Sequence, residues 1–380
     1  MRAIVVLIVL AVTAYGQRHK APTEVDAEKP EGKLMQQFMS ESDPAKKNAL
    51  LEQFASEFPK TEHTAWVLEQ VQAFYVKGNQ PDQIIAVGDK LLALDPDDPE
   101  ASLQALKAAE AKKDVALIRK YSDATSTAAR KMVATPQPKD AAEVNSWKQE
   151  VDYARQVGQY ADYALFRAAI ESRDPKVTIE LGELLAQRSP DSEYNVKMRE
   201  PVFLAYRQSG ANDKAIAVAE KALATEQSNE DMLLVVADNY LQQKKEPEKV
   251  HAYSTKVVEI MNAKPKPEGA SDADWSARKN LIVGVAHYIN GKLYSTENKF
   301  PQADQELRKA LPLVESNPAL KPETLFLLGL SNYKMASGGN AEKAQESANY
   351  FRACSLLKSP YQATAAANLK RIMTEYRGIK

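Results

Sequence analysis

Residues 286–311 of this 380-residue chain, AHYINGKLYSTENKFPQADQELRKAL, decide its fold. Gly291 stands twelve residues before Ala303, and Ala303 stands seven residues before Ala310. This spacing places the smallest side chains where two antiparallel helices cross most closely. Pro301 falls between the two runs, where it can begin the second helix, because a proline in the first turn loses no hydrogen bond. The stretch therefore predicts a helical hairpin.

Larger side chains fill the remaining space in this hairpin. Tyr294 follows Gly291 by about one turn, and Leu307 lies between the two alanines, so both would occupy the groove beside the crossing. One hairpin cannot bury its own apolar face, and neighbouring hairpins have to cover it. We therefore expect an all-α protein, an α-solenoid of stacked antiparallel helix hairpins.

The composition favours a helical protein without a strong net charge. The chain is 44% hydrophobic and only 7% aromatic, and it is rich in Ala, Leu, Glu, Lys and Gln, which favour helix. Its 50 basic and 51 acidic residues give a formal net charge of -1, and no run of basic residues with interleaved aromatics appears. Nucleic acid is therefore not an expected partner.

The first residues differ from everything after them. Met1-Arg2 carries positive charge, residues 3–14 are apolar, and Ala14-Tyr15-Gly16 resembles a small-x-small cleavage site. This pattern predicts a signal peptide over residues 1–16, cleaved after Gly16, and export to the periplasm or the extracellular space. The alternative is an uncleaved membrane anchor, although the apolar run is shorter than the roughly 20 residues that a spanning helix needs. We expect membrane attachment only if this segment is retained.

Proline and glycine divide the rest of the chain. Residues 17–33 are polar without an apolar period, which predicts a flexible linker. Residues 34–380 are predicted to form one helical array with breaks near 134–139 and 263–270. Residues 360–377 read as an amphipathic helix, which suits the cap that a repeat array needs at its end.

Two interior residues are predicted to mark helix boundaries. Gly158 separates a predicted helix over residues 141–157 from another over residues 160–172. Pro201 is expected to start or kink its helix, because proline cannot donate the backbone hydrogen bond. No stretch of the sequence reads as a convincing strand.

The helical pattern resembles the tetratricopeptide repeat (TPR), a helix-turn-helix of about 34 residues with small residues at fixed places, a late aromatic in its first helix and a closing proline. The resemblance covers residues 47–376 and implies a TPR-like right-handed superhelix. The residues that match the family's packing positions are Tyr75, Pro96, Tyr206, Ala215, Ala219, Ala222, Gly291, Tyr294, Ala303, Ala310 and Gly329.

The resemblance also implies a binding surface. In TPR proteins the first helices of the pairs line a concave groove that takes an extended peptide or a helix from a partner. By family register Asp238, Lys292 and Asn332 would face this groove; the alternative for each is an ordinary solvated side chain. The lysine and asparagine set that holds a terminal carboxylate in the best-known version is not found in adjacent repeats. The resemblance implies a non-enzymatic scaffold or adaptor with a protein or peptide partner.

Residue types that carry chemistry form no recognisable motif. No HExxH, CxxC, GxSxG or glycine-rich phosphate loop is present, and none of the histidines pairs with another at metal-ligand spacing. The single cysteine, Cys354, is predicted to be a small buried hydrophobe. We expect no catalytic residue, no metal site and no cofactor. The histidines are His19, His63, His251 and His287.

Three other functions stay open from the sequence. The chain could be the accessory or substrate-recruiting subunit of an envelope enzyme complex whose catalytic subunit is another chain. It could be a hydrolase with an unrecognised site. It could also associate with itself through an end helix.

Overall fold

The computed structural model describes residues 4–6 and 18–379. Within these residues the chain is a succession of α-helices with one small pair of strands. It forms two compact units, unit 1 (Met1–Ser209) and unit 2 (Gly210–Lys380). A helix both long and apolar enough to cross a membrane does not occur in the described part of the chain.

Unit 1 begins with two short antiparallel strands and continues as packed helices. Each helix contacts the next one along the chain, and alternate helices from the third to the ninth also contact one another in succession. This is the contact pattern of stacked hairpins. The elements are β1 (Ile4–Val6), β2 (Glu24–Asp26), α1 (Pro30–Ser40), α2 (Pro44–Glu57), α3 (Thr64–Lys77), α4 (Pro81–Leu94), α5 (Pro99–Ala111), α6 (Val115–Val133), α7 (Val144–Ser172), α8 (Pro175–Arg188) and α9 (Glu193–Gln208).

Unit 2 contains α10 (Asn212–Leu223), α11 (Glu230–Gln243), α12 (Pro247–Ala263), α13 (Asp272–Thr296), α14 (Phe300–Leu313), α15 (Leu320–Met335), α16 (Ala341–Ser355) and α17 (Gln362–Glu375). Each of these helices contacts the next. The first helices of successive pairs, α11, α13, α15 and α17, also contact one another in that order. Each unit is therefore a stack of antiparallel helix pairs, and the predicted all-α solenoid class is confirmed.

Aspartate followed by proline starts several helices. Asp43, Asp98 and Asp174 each stand directly before a proline, and each side chain accepts a backbone N–H from the first turn of its own helix. The carboxylate satisfies a donor that has no partner within the helix, and the proline occupies a position that needs none. Local sequence thus fixes where α2, α5 and α8 begin.

The hairpin of α13 and α14 packs through its smallest residues. Gly291 faces Leu307 so closely that a Cβ on the glycine would lie 2.5 Å from Leu307 Cγ. Ala303, Leu307 and Ala310 are fully buried, and Tyr294 beside them is half-buried. The two helices can approach this closely only because position 291 carries no side chain.

The predicted helix boundary at Gly158 is wrong, and of the two alternatives for Pro201, start or kink, the start is wrong. Helix α7 runs without interruption through Gly158, since one glycine weakens a helix by only about 1 kcal/mol and packing against α6 compensates. A Cβ at Gly158 would lie 3.5 Å from the Ala129 Cβ, an ordinary contact. Helix α9 begins at Glu193, well before Pro201, so this proline lies inside the helix and does not start it.

The structure of the amino-terminal region differs from the sequence-based prediction in two respects. Strand β1 pairs with β2, with Val5 opposite Val25, although no strand was expected; the β-branched run Ile4-Val5-Val6 favours extended backbone. Helix α1 begins at Pro30, inside the range predicted as a linker. Apart from residues 4–6, the predicted signal peptide lies outside the described residues and stays a prediction.

The single cysteine is part of the core of unit 2. Cys354 is fully buried, and its Sγ lies 3.3 Å from the Pro322 carbonyl oxygen, to which the thiol donates. Burial raises the pKa of the Cys354 thiol. The prediction of a small buried side chain is confirmed by this burial. A buried thiol of raised pKa is also a poor nucleophile.

Candidate functional site on the first helices of unit 2

A line of polar and aromatic side chains crosses the first helices of unit 2. We call it the first-helix face and define it as Asp238 on α11, Tyr288 and Lys292 on α13, Glu323 on α15, and Tyr361 at the start of α17. These helices contact one another in succession, so side chains from different hairpins become neighbours. The face is therefore built by the stacking itself.

An ion pair connects α13 to α15 at the centre of this face. Lys292 Nζ lies 2.8 Å from Glu323 Oε1, and the side chains are 32% and 17% exposed. Lys292 also donates to the Tyr288 hydroxyl at 3.1 Å, and its ammonium group lies 5.5 Å from the centre of that ring. A half-buried pair with these additional contacts is better ordered than an exposed surface pair.

The Glu323 carboxylate is stabilised in its charged form. Burial pushes its pKa up, but hydrogen bonds from Lys292, Tyr288 and Tyr361, together with the Lys292 charge, outweigh burial and hold the pKa below its usual value of 4.5. Burial, and then the hydrogen bond to Glu323, raise the pKa of Tyr288. Both tyrosines therefore act as neutral donors around one carboxylate.

The face continues in both directions from this carboxylate. Burial, followed by the hydrogen bond to Glu323, raises the pKa of Tyr361 to about 12, and the Tyr361 ring packs 5.2 Å from the ring of Phe326. On the other side the negative charge of Asp238 acts on the Tyr288 hydroxyl. Asp238 itself accepts a hydrogen bond from Gln242 at 2.6 Å. Charge and aromatic surface are thus shared across four helices.

A second group of charges joins the beginnings of α11 and α13. Lys264 Nζ lies 2.6 Å and 2.9 Å from the two carboxylate oxygens of Glu230, whose side chain is 5% exposed. Arg278 on α13 lies 2.8 Å from Asp231 Oδ2. Acidic residues at the start of α11 also favour its helix dipole. The start of α11 is therefore joined to the end of α12 through Lys264 and to α13 through Arg278.

We expect Lys292→Met to remove about 1 kcal/mol of unfolding free energy near neutral pH, because Glu323 loses its cationic partner. The Glu323 pKa is depressed in the folded protein, so its contribution is present above the unfolded value of 4.5 and disappears as the pH falls through the folded value. The difference between wild type and variant should therefore shrink below pH 4.5, measured by urea unfolding at several pH values. Lys334→Met, at an exposed position on α15, is the control, and an equal loss there would contradict the assignment.

Two of the three residues predicted from the family register lie on this face. Asp238 and Lys292 are half-buried and contribute charge to it. Asn332 does not, and its prediction as a groove residue is corrected: it is fully buried, and its side-chain amide donates to Asp304 Oδ1 at 2.6 Å and to the Leu328 carbonyl at 2.9 Å. The buried Asp304 carboxylate on α14 supplies an acceptor that turns Asn332 inward.

The residues predicted to pack the repeats divide into two groups. Tyr75 and Tyr294 are half-buried, and Pro96 is exposed in the turn that follows α4. Pro96 therefore ends a helix, as a proline just past a helix terminus does, and contributes no packing. The remaining ones are buried: Tyr206, Ala215, Ala219, Ala222, Gly291, Ala303, Ala310 and Gly329.

Sequence reasoning missed Tyr288, Glu323 and Tyr361. One signal was present, because Tyr288 stands four residues before Lys292 and so shares its side of a helix. Glu323 gave no such signal: an acidic residue in the first turn of a helix has a sufficient explanation in the helix dipole. Only the contact between α13 and α15 shows its partners.

Comparisons with known proteins identify no family for the chain. No family model matches it, and no curated protein matches it. Among solved structures it is similar to the TPR domain of P58(IPK), with 13% identity over 93% of this chain and 100% of that chain, at a TM-score of 0.26. It is also similar to yeast Tom70, with 11% identity over 92% of this chain and 89% of that chain, at a TM-score of 0.25. The fold class therefore rests on the helix packing described above.

Proposed function

We propose that this protein is a non-enzymatic scaffold of the TPR type that binds an extended peptide or a helix of a protein partner along the first-helix face. The observation that supports it best is the continuity of that face over α11, α13, α15 and α17. A surface shared by successive hairpins suits a long, thin ligand, as the concave surfaces of repeat proteins do.

The chemistry of the face suits a partner that carries both hydrogen-bonding and apolar groups. Tyr361 is partly exposed and offers a ring with a polar end, which is the amphipathic character favoured at protein interfaces. Tyr288 is only 4% exposed, so it supports Lys292 and Glu323 from beneath the surface. The partly exposed Lys292 and Glu323 offer one charge of each sign at 2.8 Å from each other. A ligand would gain from many modest contacts and not from one reactive centre.

Photo-cross-linking tests this binding surface. In separate variants a benzophenone amino acid replaces Asp238 or Lys292 on the face. In the control variants it replaces Thr255 on α12 or Gln305 on α14, which are exposed positions on second helices. Irradiation of the producing cells is expected to give a discrete cross-linked protein product from the first two positions and none from the control positions. Equal products from all four positions, or products from the control positions alone, would rule out the first-helix face as the docking surface.

The proposed place of this scaffold is the cell envelope or the space outside the cell. The predicted signal peptide over residues 1–16 supports export, and the lone cysteine means that packing alone has to stabilise the exported chain. Amino-terminal sequencing of the protein recovered in the same cross-linking experiment should start at Gln17. Retention of Met1 would contradict cleavage without affecting the binding proposal.

A further inference from the structure

Three side chains that are far apart in the sequence converge in unit 1. His19 precedes the strand β2, Glu69 lies on α3, and Asp98 stands directly before α5. The His19 Nε2 atom is 3.8 Å from Glu69 Oε1 and 3.7 Å from Asp98 Oδ2. One nitrogen or oxygen atom from each residue lies within 4.8 Å of the others. Three possible ligand atoms are therefore close to one another.

The distances are too long for direct hydrogen bonds between these groups. His19 Nε2, Glu69 Oε2 and Asp98 Oδ2 are buried atoms that have no hydrogen-bond partner in the protein. The Asp98 side chain is only 1% exposed. Leaving a buried carboxylate oxygen unpaired is costly, so the three groups are arranged as if around a fourth one.

The surrounding structure holds each group in place. The other oxygen of Asp98, Oδ1, accepts the backbone N–H groups of Glu100 and Ala101 at 2.9 Å and 3.0 Å, which leaves Oδ2 directed at His19. Arg18 positions the histidine segment, because its guanidinium group binds the Asp95 carboxylate with Nη2 at 3.3 Å from Oδ1. Asp98 is thus fixed by the start of α5, and the histidine segment is fixed by the Arg18 ion pair.

The cluster is rich in carboxyl groups. Asp95 Oδ2 lies 3.6 Å from His19 Nε2, so three carboxyl groups surround one imidazole. A cation bound among them would offset the repulsion between carboxylates held this close together.

We propose that His19, Glu69 and Asp98 bind one divalent transition-metal ion, for which Zn²⁺ is the best match. Zinc takes imidazole nitrogen and carboxylate oxygen at about 2.0–2.2 Å, and a tetrahedral ion sets such ligands about 3.4 Å apart. The observed separations of 3.7 Å and 3.8 Å from the histidine nitrogen need a contraction of only a few tenths of an ångström.

Such an ion would have a structural role. It would fasten the segment that carries His19 to α3 and to the turn between α4 and α5, which are separated from it by about 50 and 80 residues of sequence. A protonated His19 that pairs with the carboxylates would hold the segment without metal, and it is the competing explanation that the experiment has to separate.

Calorimetric titration of the full chain with zinc chloride at pH 7.5, after treatment with a chelator, tests the site. We expect one zinc ion per chain and at least a tenfold loss of affinity in His19→Gln, Glu69→Gln and Asp98→Asn. Asp98→Asn keeps an oxygen that can cap α5, so the helix start is preserved. His63→Gln is the matched control, because His63 lies outside the cluster, with its Nε2 atom 3.6 Å from Glu62 Oε1. The zinc affinity of this variant should equal that of the wild type.

Hydrogen exchange supplies a second measurement that does not depend on variants. Zinc should slow exchange in residues 18–22 of the wild type and leave that segment unchanged in His19→Gln. Absence of zinc binding would favour the metal-free ion pairs and overturn the proposal. Zinc binding that is equal in wild type and all three cluster variants, or that leaves residues 18–22 unprotected, would place the ion elsewhere and overturn it as well.

Discussion

Replacing Arg188 by methionine is expected to lower the unfolding free energy of unit 1 by about 3–5 kcal/mol. Arg188 Nη2 lies 2.8 Å from Asp162 Oδ1, and the two side chains are only 4% and 9% exposed. Without the guanidinium group the Asp162 carboxylate would stay buried and lose its charged partner. That loss, and not the net value of the pair, produces the large effect.

The same arginine connects three helices. From the end of α8 it reaches Asp162 on α7 and donates through Nη1 to Ser122 Oγ on α6 at 2.9 Å. Ser189 Oγ donates to the same Asp162 oxygen at 3.0 Å. Burial lowers the pKa of Arg188 in spite of its acidic partner. We expect the variant to lose cooperativity between these helices as well as stability.

An exposed ion pair in the same unit provides the control for Arg188→Met. Arg155 lies 2.7 Å from Asp152 on α7, with side chains that are 60% and 65% exposed, so Arg155→Met should cost less than about 1 kcal/mol. Urea unfolding followed by circular dichroism and by the fluorescence of the buried Trp66 measures both variants. Equal losses in the two variants would show that burial does not set the energy of the Arg188 pair. The double variant Arg188→Met/Asp162→Leu should recover part of the stability, because no charge is then left unpaired.

The hairpin architecture was predictable because it depends on local spacing. Helix starts follow from aspartate-proline pairs, and close crossings follow from glycine and alanine at helical intervals, as Asp174-Pro175 and Gly291 illustrate. A glycine in the sequence, however, can indicate either the end of a helix or a close contact within one. At Gly158 the chain continues as helix, and only the packing partner Ala129 distinguishes this from a helix end. The division into two units at Ser209 and Gly210 has no such local mark.

Only those residues of the candidate sites that occupy family register positions were predictable from the sequence. Asp238 lies on α11 and Lys292 on α13, and their role in a groove stays a prediction. Family register could not show that Asn332 turns towards Asp304. The cluster around His19 was invisible, because metal motifs are recognised by ligands a few residues apart. Its members come from three elements that only tertiary packing brings together.

Gly291→Ala is expected to lower the unfolding free energy of unit 2 by about 2 kcal/mol. The new Cβ would lie 2.5 Å from Leu307 Cγ, 2.7 Å from Leu307 Cδ2 and 3.2 Å from the Leu307 backbone nitrogen. Leu307 is fully buried, so neither its side chain nor α14 can move away freely. Overpacking of about 1–3 kcal/mol therefore outweighs the gain of about 0.5–1 kcal/mol that alanine brings to a helix interior.

Gly158→Ala separates the contact from the intrinsic preference for helix. A Cβ there meets nothing closer than Ala129 at 3.5 Å, so this substitution should stabilise unit 1 by about 0.5–1 kcal/mol. The double variant Gly291→Ala/Leu307→Ala should lose less stability than the sum of its single variants, because the smaller side chain at 307 removes the clash. Urea unfolding followed by Trp275, which lies on α13 with Gly291, measures the effect in unit 2. Stabilisation by Gly291→Ala, of the size expected for Gly158→Ala, would contradict the close approach of α13 and α14 at this crossing. The spacing of small residues would then not explain how the two helices pack.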